Sequence, residues 1–129
     1  MKIRDYFDSF ERGIHKNRKI GRLERPIVFL AFGETFGLVR CDLTLWDGSI
    51  LTISESIDTS TGYPEKTDYS YQYVRSGQTA FRYDNAPHHP EIATFPHHKH
   101  VGAREEPVPA SPPTLSAIFA EIEKYLGKE

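Results

Sequence analysis

Five of the six histidines lie within thirteen positions, and this cluster is the strongest chemical signal in the sequence. The cluster follows Phe81 in the run FRYDNAPHHPEIATFPHHKH and consists of His88, His89, His97, His98 and His100. Imidazole has an unperturbed pKa of about 6.5, so it can give and take protons near neutral pH. The cluster therefore predicts a site of acid–base or metal chemistry.

The first interpretation is cleavage of RNA by acid–base catalysis. This reaction needs a base for the 2′-hydroxyl, an acid for the leaving 5′ oxygen and a cation for the phosphoryl oxygens. We expect His88, together with His97 or His98, to serve as acid and base. Arg82 would hold the phosphate, and Asp84 would orient one imidazole. On this interpretation the protein is a small metal-independent ribonuclease that needs no cofactor.

Two groups of residues could bind the RNA itself. Tyr71 and Tyr73 could stack on bases, and Lys99 lies within the histidine run. The segment 15–25 is rich in Lys and Arg, with Glu24 as its single acid. In this segment, the side chains of Arg18, Lys19 and Arg22 could contact the phosphates of an RNA backbone.

Three alternatives remain open for the histidine run. His88, His98 and His100 could bind a divalent metal such as zinc, although their spacing matches no known zinc signature. The run could instead dock onto a protein partner without any catalytic turnover. The histidines could also be ordinary surface or turn residues packed against prolines.

Composition limits the class of protein. The length of 129 residues fits one domain, 1–129, and the hydrophobic share of 38% with a charged share of 26% is typical of a globular chain. The net charge of −2 cannot by itself attract nucleic acid, but residues 1–25 carry +4 and the remainder −6. The single cysteine, Cys41, excludes an internal disulfide. With no apolar leader or membrane span, we expect a cytoplasmic protein without membrane contact.

The pattern of apolar residues predicts a helix over residues 2–15 and a hairpin after Leu38. In that hairpin the three-residue turn Trp46-Asp47-Gly48 places Leu43 opposite Leu51 and Cys41 opposite Ile53.

A second hairpin is predicted around Ser76-Gly77. A two-residue turn there places Tyr73 opposite Ala80 and Tyr71 opposite Arg82. The tyrosines would then share one sheet face with Arg82 and Asp84.

Residues 86–113 contain seven of the nine prolines, which predicts an irregular segment. A last helix is predicted from Leu115, capped by Ser111 or Thr114. Together the elements indicate an α+β fold: an antiparallel meander of four to five strands, with an N-terminal and a C-terminal helix on one face and the His/Pro-rich loop before the last helix. An exposed sheet edge could pair two copies as a homodimer.

Residues 46–101 resemble the TumE-like family of prokaryotic toxin–antitoxin toxins. The matching pieces are the Asp-Gly-Ser turn, the run Arg-Tyr-Asp-Asn-Ala-Pro-His-His and the run Pro-His-His-Lys-His. The resemblance implies a small cytoplasmic toxin directed at RNA or translation. It also implies a cognate antitoxin, encoded beside the toxin, that neutralises it by binding. The residue roles given above come from chemistry and not from the family.

Overall fold

Two helices pack on an antiparallel sheet of eight strands in the computed structural model, which describes residues 1–128. The helices are α1 (Ile3–Lys16) and α2 (Leu115–Glu123). The strands are β1 (Gly21–Leu23), β2 (Val28–Ala31), β3 (Phe36–Leu45), β4 (Ile50–Asp58), β5 (Glu65–Arg75), β6 (Gln78–Asp84), β7 (His98–Val101) and β8 (Glu106–Pro109).

The strands lie in the order β1-β3-β4-β5-β6-β7-β8, and β2 pairs with β3 on the same edge as β1. Alternate residues of β3 to β6 point toward both helices and form the core, which contains Val39, Leu51, Tyr71, Phe81, Phe10 and Ile122 among others. The other face of the sheet carries the intervening residues, among them Ser54, Gln72 and Arg82. We call these the helix face and the outer face.

The predicted helices and the first hairpin are confirmed. The helices begin within one residue of the predicted positions, and the Thr114 hydroxyl accepts a hydrogen bond of 3.1 Å from the Ala117 amide. Leu43 pairs with Leu51 and Cys41 with Ile53. Gly48 has φ of +88°, the left-handed conformation that the turn requires.

The second hairpin and the pairing of Arg75 with Gln78 next to its turn are confirmed, but the predicted register is wrong by one residue beyond Val74. A β-bulge after Tyr73 pairs it with Phe81, and Tyr71 then pairs with Tyr83. Because an extra residue on one strand moves every following side chain to the opposite face, the tyrosines join the core while Arg82 points to the outer face.

The strand count is also higher than the predicted four to five. The additional strands are short: β1 lies inside the basic segment, and β7 and β8 lie inside the proline-rich segment. Pro107 and Pro109 are tolerated in β8 because it is the outermost strand and one of its edges needs no partner.

Candidate functional site: a histidine pocket

The pairing of β6 with β7 assembles the centre of the candidate site. Arg82 pairs with His100, and Asp84 pairs with His98. All four residues occupy the alternate strand positions whose side chains point to the outer face. Two strands with strict register thus bring a guanidinium, a carboxylate and two imidazoles together.

The third imidazole comes from the loop between β6 and β7. The ring of His89 lies 5.1 Å from the ring of His98 and 5.6 Å from that of His100, and the latter two rings are 4.7 Å apart. One nitrogen of each ring lies within 4.8 Å of the others. We call His89, His98 and His100 the inner histidines.

Side-chain hydrogen bonds hold this loop in place at both ends. The Asn85 carboxamide accepts from the Tyr69 amide at 3.0 Å and donates to the Thr67 carbonyl at 3.1 Å. The Thr94 hydroxyl accepts from the Ala110 amide at 3.0 Å. Bonds to β5 and to the segment after β8 therefore anchor the two ends of the loop that carries His89.

Asp84 lies at the centre of the polar contacts. Its carboxylate accepts hydrogen bonds of 3.0 Å from Arg82 Nε and from the Ala86 amide. The carboxylate oxygens also lie 2.9 Å from His98 Nε2 and 3.5 Å from His100 Nε2. Arg82 in turn donates to Glu105 at 2.7 Å, so the guanidinium is shared by two carboxylates.

The orientation of the two strand imidazoles is set by backbone carbonyls. Nδ1 of His98 lies 2.9 Å from the Pro96 carbonyl, and Nδ1 of His100 lies 2.8 Å from the Glu105 carbonyl. A carbonyl can only accept, so Nδ1 donates in both rings and Nε2 faces the carboxylate. His98 is 2% exposed, and its Nε2 makes no hydrogen bond within residues 1–128.

An open pocket of about 670 Å³ lies over this cluster. That volume falls in the range of small-molecule sites. Its walls carry charged and titratable side chains of both signs, namely Arg82, Asp68, Asp84, His88, His89 and His100. The pocket can therefore exchange protons, hold a cation or contact a phosphate.

A family model described as Toxin TumE matches residues 12–126. The chain belongs to the TumE toxin family. The match spans the sheet, the loop with its histidines and α2, so the whole pocket lies within the TumE region. A toxin family implies, in general, a partner antitoxin.

No curated protein and no solved structure matches this TumE toxin. Within residues 1–128, neither helix is long and apolar enough to cross a membrane.

The remaining histidines of the run occupy different places. His88 is exposed on the pocket wall. The residue His97 precedes β7 and stacks on Tyr69 at 5.9 Å, and its Nδ1 lies 3.0 Å from the Tyr69 hydroxyl. Burial, followed by the charge of Asp84, raises the pKa of Tyr69 to about 12. The structure thus groups His98 with Arg82 and Asp84, and it separates His97 from them.

The tyrosines predicted to stack on RNA are inaccessible. Tyr71 and Tyr73 are both 0% exposed, so neither ring offers a free face to a base. The Tyr71 hydroxyl donates to buried Glu55, and so does the Tyr6 hydroxyl at 2.5 Å. Burial and the charge of Glu55 raise the pKa of both tyrosines far above the usual value. Through the shared Glu55 carboxylate, the Tyr6 hydroxyl joins α1 to the sheet and the Tyr71 hydroxyl joins β5 to β4.

The predicted basic contacts lie away from the pocket. Lys99 is on the helix face and pairs with Glu121 at 2.5 Å. Arg18, Lys19 and Arg22 are exposed at the β1 edge of the sheet. Five strand spacings separate β1 from β7, or about 24 Å.

Sequence reasoning gave no role to His89 and Glu105. Both reach the site from loops, and no periodicity predicts where a loop side chain points. The high local density of histidines was the one sequence feature that pointed to His89. No sequence feature pointed to Glu105.

Proposed function

We propose that this toxin acts by cleaving RNA at the histidine pocket. The observation that supports the proposal is the gathering of imidazoles, a guanidinium and a carboxylate around one open cavity. RNA cleavage uses these groups: an imidazole for proton transfer and positive charge for the phosphoryl oxygens.

His88 is the side chain proposed to exchange protons with the substrate. It is exposed on the pocket wall, so a ribose hydroxyl can approach it, whereas His98 and His100 are buried. The positive charge would come from Arg82. Asp84 positions this charge through its bonds to Arg82 and to the Ala86 amide.

The pocket alone is a weak binder of a polyanion. Arg82 is paired with Asp84 and Glu105, and Asp68 also lines the pocket, so the local charge is not strongly positive. Most of the affinity for RNA must then come from another surface. The exposed basic residues at the β1 edge, Arg18, Lys19 and Arg22, are proposed to provide it.

The first prediction concerns His88. Replacing it in H88A should slow RNA cleavage about 10²- to 10⁴-fold, because a positioned acid or base contributes that much. The measurement is the single-turnover rate of cleavage of a single-stranded oligoribonucleotide by toxin freed from its antitoxin. The reaction is run with and without added divalent metal.

The matched control is H97A, which removes an imidazole of the same run on the other side of the sheet. Its cleavage rate should stay within about threefold of the wild type, since its ring contacts Tyr69 on the wall of the pocket and not His88, Arg82 or Asp84. Equal slowing in both variants would contradict the assignment of His88. A wild-type toxin that arrests growth and leaves RNA intact would overturn the proposed function.

A further inference from the structure

The buried Nε2 of His98 has no hydrogen-bond partner within residues 1–128. Its Nδ1 donates to the Pro96 carbonyl, so a neutral ring presents a lone pair at Nε2. That lone pair lies 2.9 Å from an Asp84 carboxylate oxygen, and the two atoms are not aligned as a hydrogen bond. Two acceptors at this distance repel each other unless a positive charge lies between them.

From this we infer that His89, His98 and His100 bind one divalent transition-metal ion of the zinc class, with Asp84 beside it as counter-charge.

The arrangement of Asp84 and His98 leaves the lone pair of Nε2 free for a metal. The Asp84 oxygen lies 2.9 Å from Nε2, yet the two atoms do not form a hydrogen bond, so the oxygen lies well off the axis of that lone pair. A zinc ion about 2.0–2.1 Å from Nε2 along that axis would have the carboxylate beside it as counter-charge. Nε2 of His98 is therefore positioned to bind a metal ion.

The outer nitrogens of all three rings have partners outside the cluster. Nδ1 of His98 and of His100 face carbonyls, and Nδ1 of His89 lies 3.4 Å from Glu91 Oε1. Metal-bound histidines almost always have such a partner, which fixes the ring and leaves the other nitrogen for the metal.

Metal binding needs only a small movement of one residue. The ligand nitrogens lie within 4.8 Å of one another, whereas a tetrahedral site brings them to about 3.3 Å. His98 and His100 are held in β7, so His89 is the ligand that moves inward with its loop. Three imidazoles leave one position of a tetrahedral ion free, facing Asp84 or the pocket.

This inference goes beyond the proposed RNA cleavage and does not depend on it. If the pocket does cleave RNA, a metal here would polarise the phosphoryl oxygen, and His88 would remain outside the ligand set. The expectation of a metal-independent enzyme then gives way to a metal-dependent one.

The test uses the untagged full-length chain, so that no affinity tag contributes imidazoles. Purified protein is assayed for metal by elemental mass spectrometry, and the stripped protein is then titrated with Zn²⁺ and with Co²⁺ alone. We expect about one equivalent of bound metal and visible Co²⁺ absorption bands typical of a four-coordinate nitrogen and oxygen site. Thermal unfolding should shift upward with Zn²⁺.

Single variants locate the site. H89A and H100A should each lower the Zn²⁺ affinity by more than about 100-fold, beyond the usual effect of losing an outer partner. H88A and H97A are the matched controls, and their affinity should stay within about threefold of the wild type. His89 lies in a loop and is half-buried, so H89A tests the site even if a variant in β7 fails to fold.

A folded wild type that binds neither ion more tightly than about 10 µM, too weakly for a structural or catalytic zinc site, would overturn the inference. Unchanged affinity in both H89A and H100A would do the same. Metal binding without RNA cleavage would refute the proposed function alone, since metal content is measured in the absence of RNA.

Discussion

Outside the histidine pocket, the side chain of Asp47 makes hydrogen bonds to several separate parts of the chain. Its carboxylate accepts from the Ser49 hydroxyl at 2.6 Å, from Arg75 at 2.7 Å and from the Gly127 amide at 3.1 Å. Burial alone would raise the pKa of Asp47, but these hydrogen bonds outweigh it and hold the pKa well below the usual range. One residue thus joins the β3–β4 turn, β5 and the end of the chain.

The lowered pKa of Asp47 predicts a specific loss of stability in acid. The folded state favours the ionised form, so the stabilisation is complete above about pH 5. It is lost as the pH falls through the ordinary Asp value of about 3.9 toward the lower folded value. In D47N this component is absent, so the free energy of unfolding should be lower by about 1.5–3 kcal/mol at pH 7.

Urea unfolding of wild type and D47N between pH 2.5 and pH 7 checks this, and the difference between the two should shrink toward low pH. The control is D58N: Asp58 also has a lowered pKa, but within residues 1–128 its carboxylate bonds to the neighbouring Ser60 and joins no distant segments, so its removal should have a smaller effect. A constant difference across the pH range would contradict the linkage.

At the scale of elements, the position of α1 depends on a glycine in β3. A Cβ on Gly37 would lie 2.6 Å from the Phe7 ring, 2.8 Å from the Ile3 side chain and 2.8 Å from the Leu30 carbonyl. The last of these is backbone of the paired strand β2, which cannot move without breaking the pairing. The close approach of helix and sheet therefore requires the absence of a side chain here.

Replacing this glycine in G37A should lower the free energy of unfolding by about 1–3 kcal/mol through overpacking. The matched control is G13A, on α1 itself, where a Cβ would meet only the end of the Leu115 side chain at 3.0 Å. Alanine there gains about 1 kcal/mol of helix propensity, so G13A should be neutral or stabilising. Urea denaturation measures both, and equal stabilities would show that α1 adapts freely.

At the scale of the whole molecule, the basic segment and the histidine pocket lie toward opposite edges of the sheet. Residues 1–25 carry +4 and the remainder −6, and the fold places the exposed basic residues of this segment at the β1 edge. The histidine pocket lies between β6, β7 and their loop. An RNA strand that contacts both regions would be bound at one side and cleaved at the other.

Neutralising the basic residues in the triple variant R18Q/K19Q/R22Q tests this arrangement. RNA affinity should fall, and the slope of its logarithm against the logarithm of salt concentration should decrease by about 2, because each phosphate contact to a single strand contributes about 0.7. The cleavage rate at saturating RNA should not change. Binding titrations at several salt concentrations measure the slope, and an unaltered slope would show that this segment does not contact RNA.

Local patterns were sufficient for several parts of the fold. The helices, the first hairpin with its register and the Gly48 turn follow from spacing and turn chemistry within about fifteen residues of each other. The predicted register of the second hairpin was wrong beyond its turn because a β-bulge has no local signature strong enough to reveal an extra residue. That single residue reversed which side chains share a face with Arg82.

The sequence by itself determined the α+β class and the chemical content of the site, since these depend on residue types and local periodicity. The toxin family was indicated by the resemblance of residues 46–101 to known toxins, and the family match confirms it. Only the tertiary structure decided which histidines act together. The pairing of β6 with β7 and the closure of the loop bring His89, His98 and His100 to one point, while His97, next in sequence to His98, turns to the other face. Convergence of this kind depends on register and loop path, which are properties of long-range contacts and leave no periodic trace in the chain.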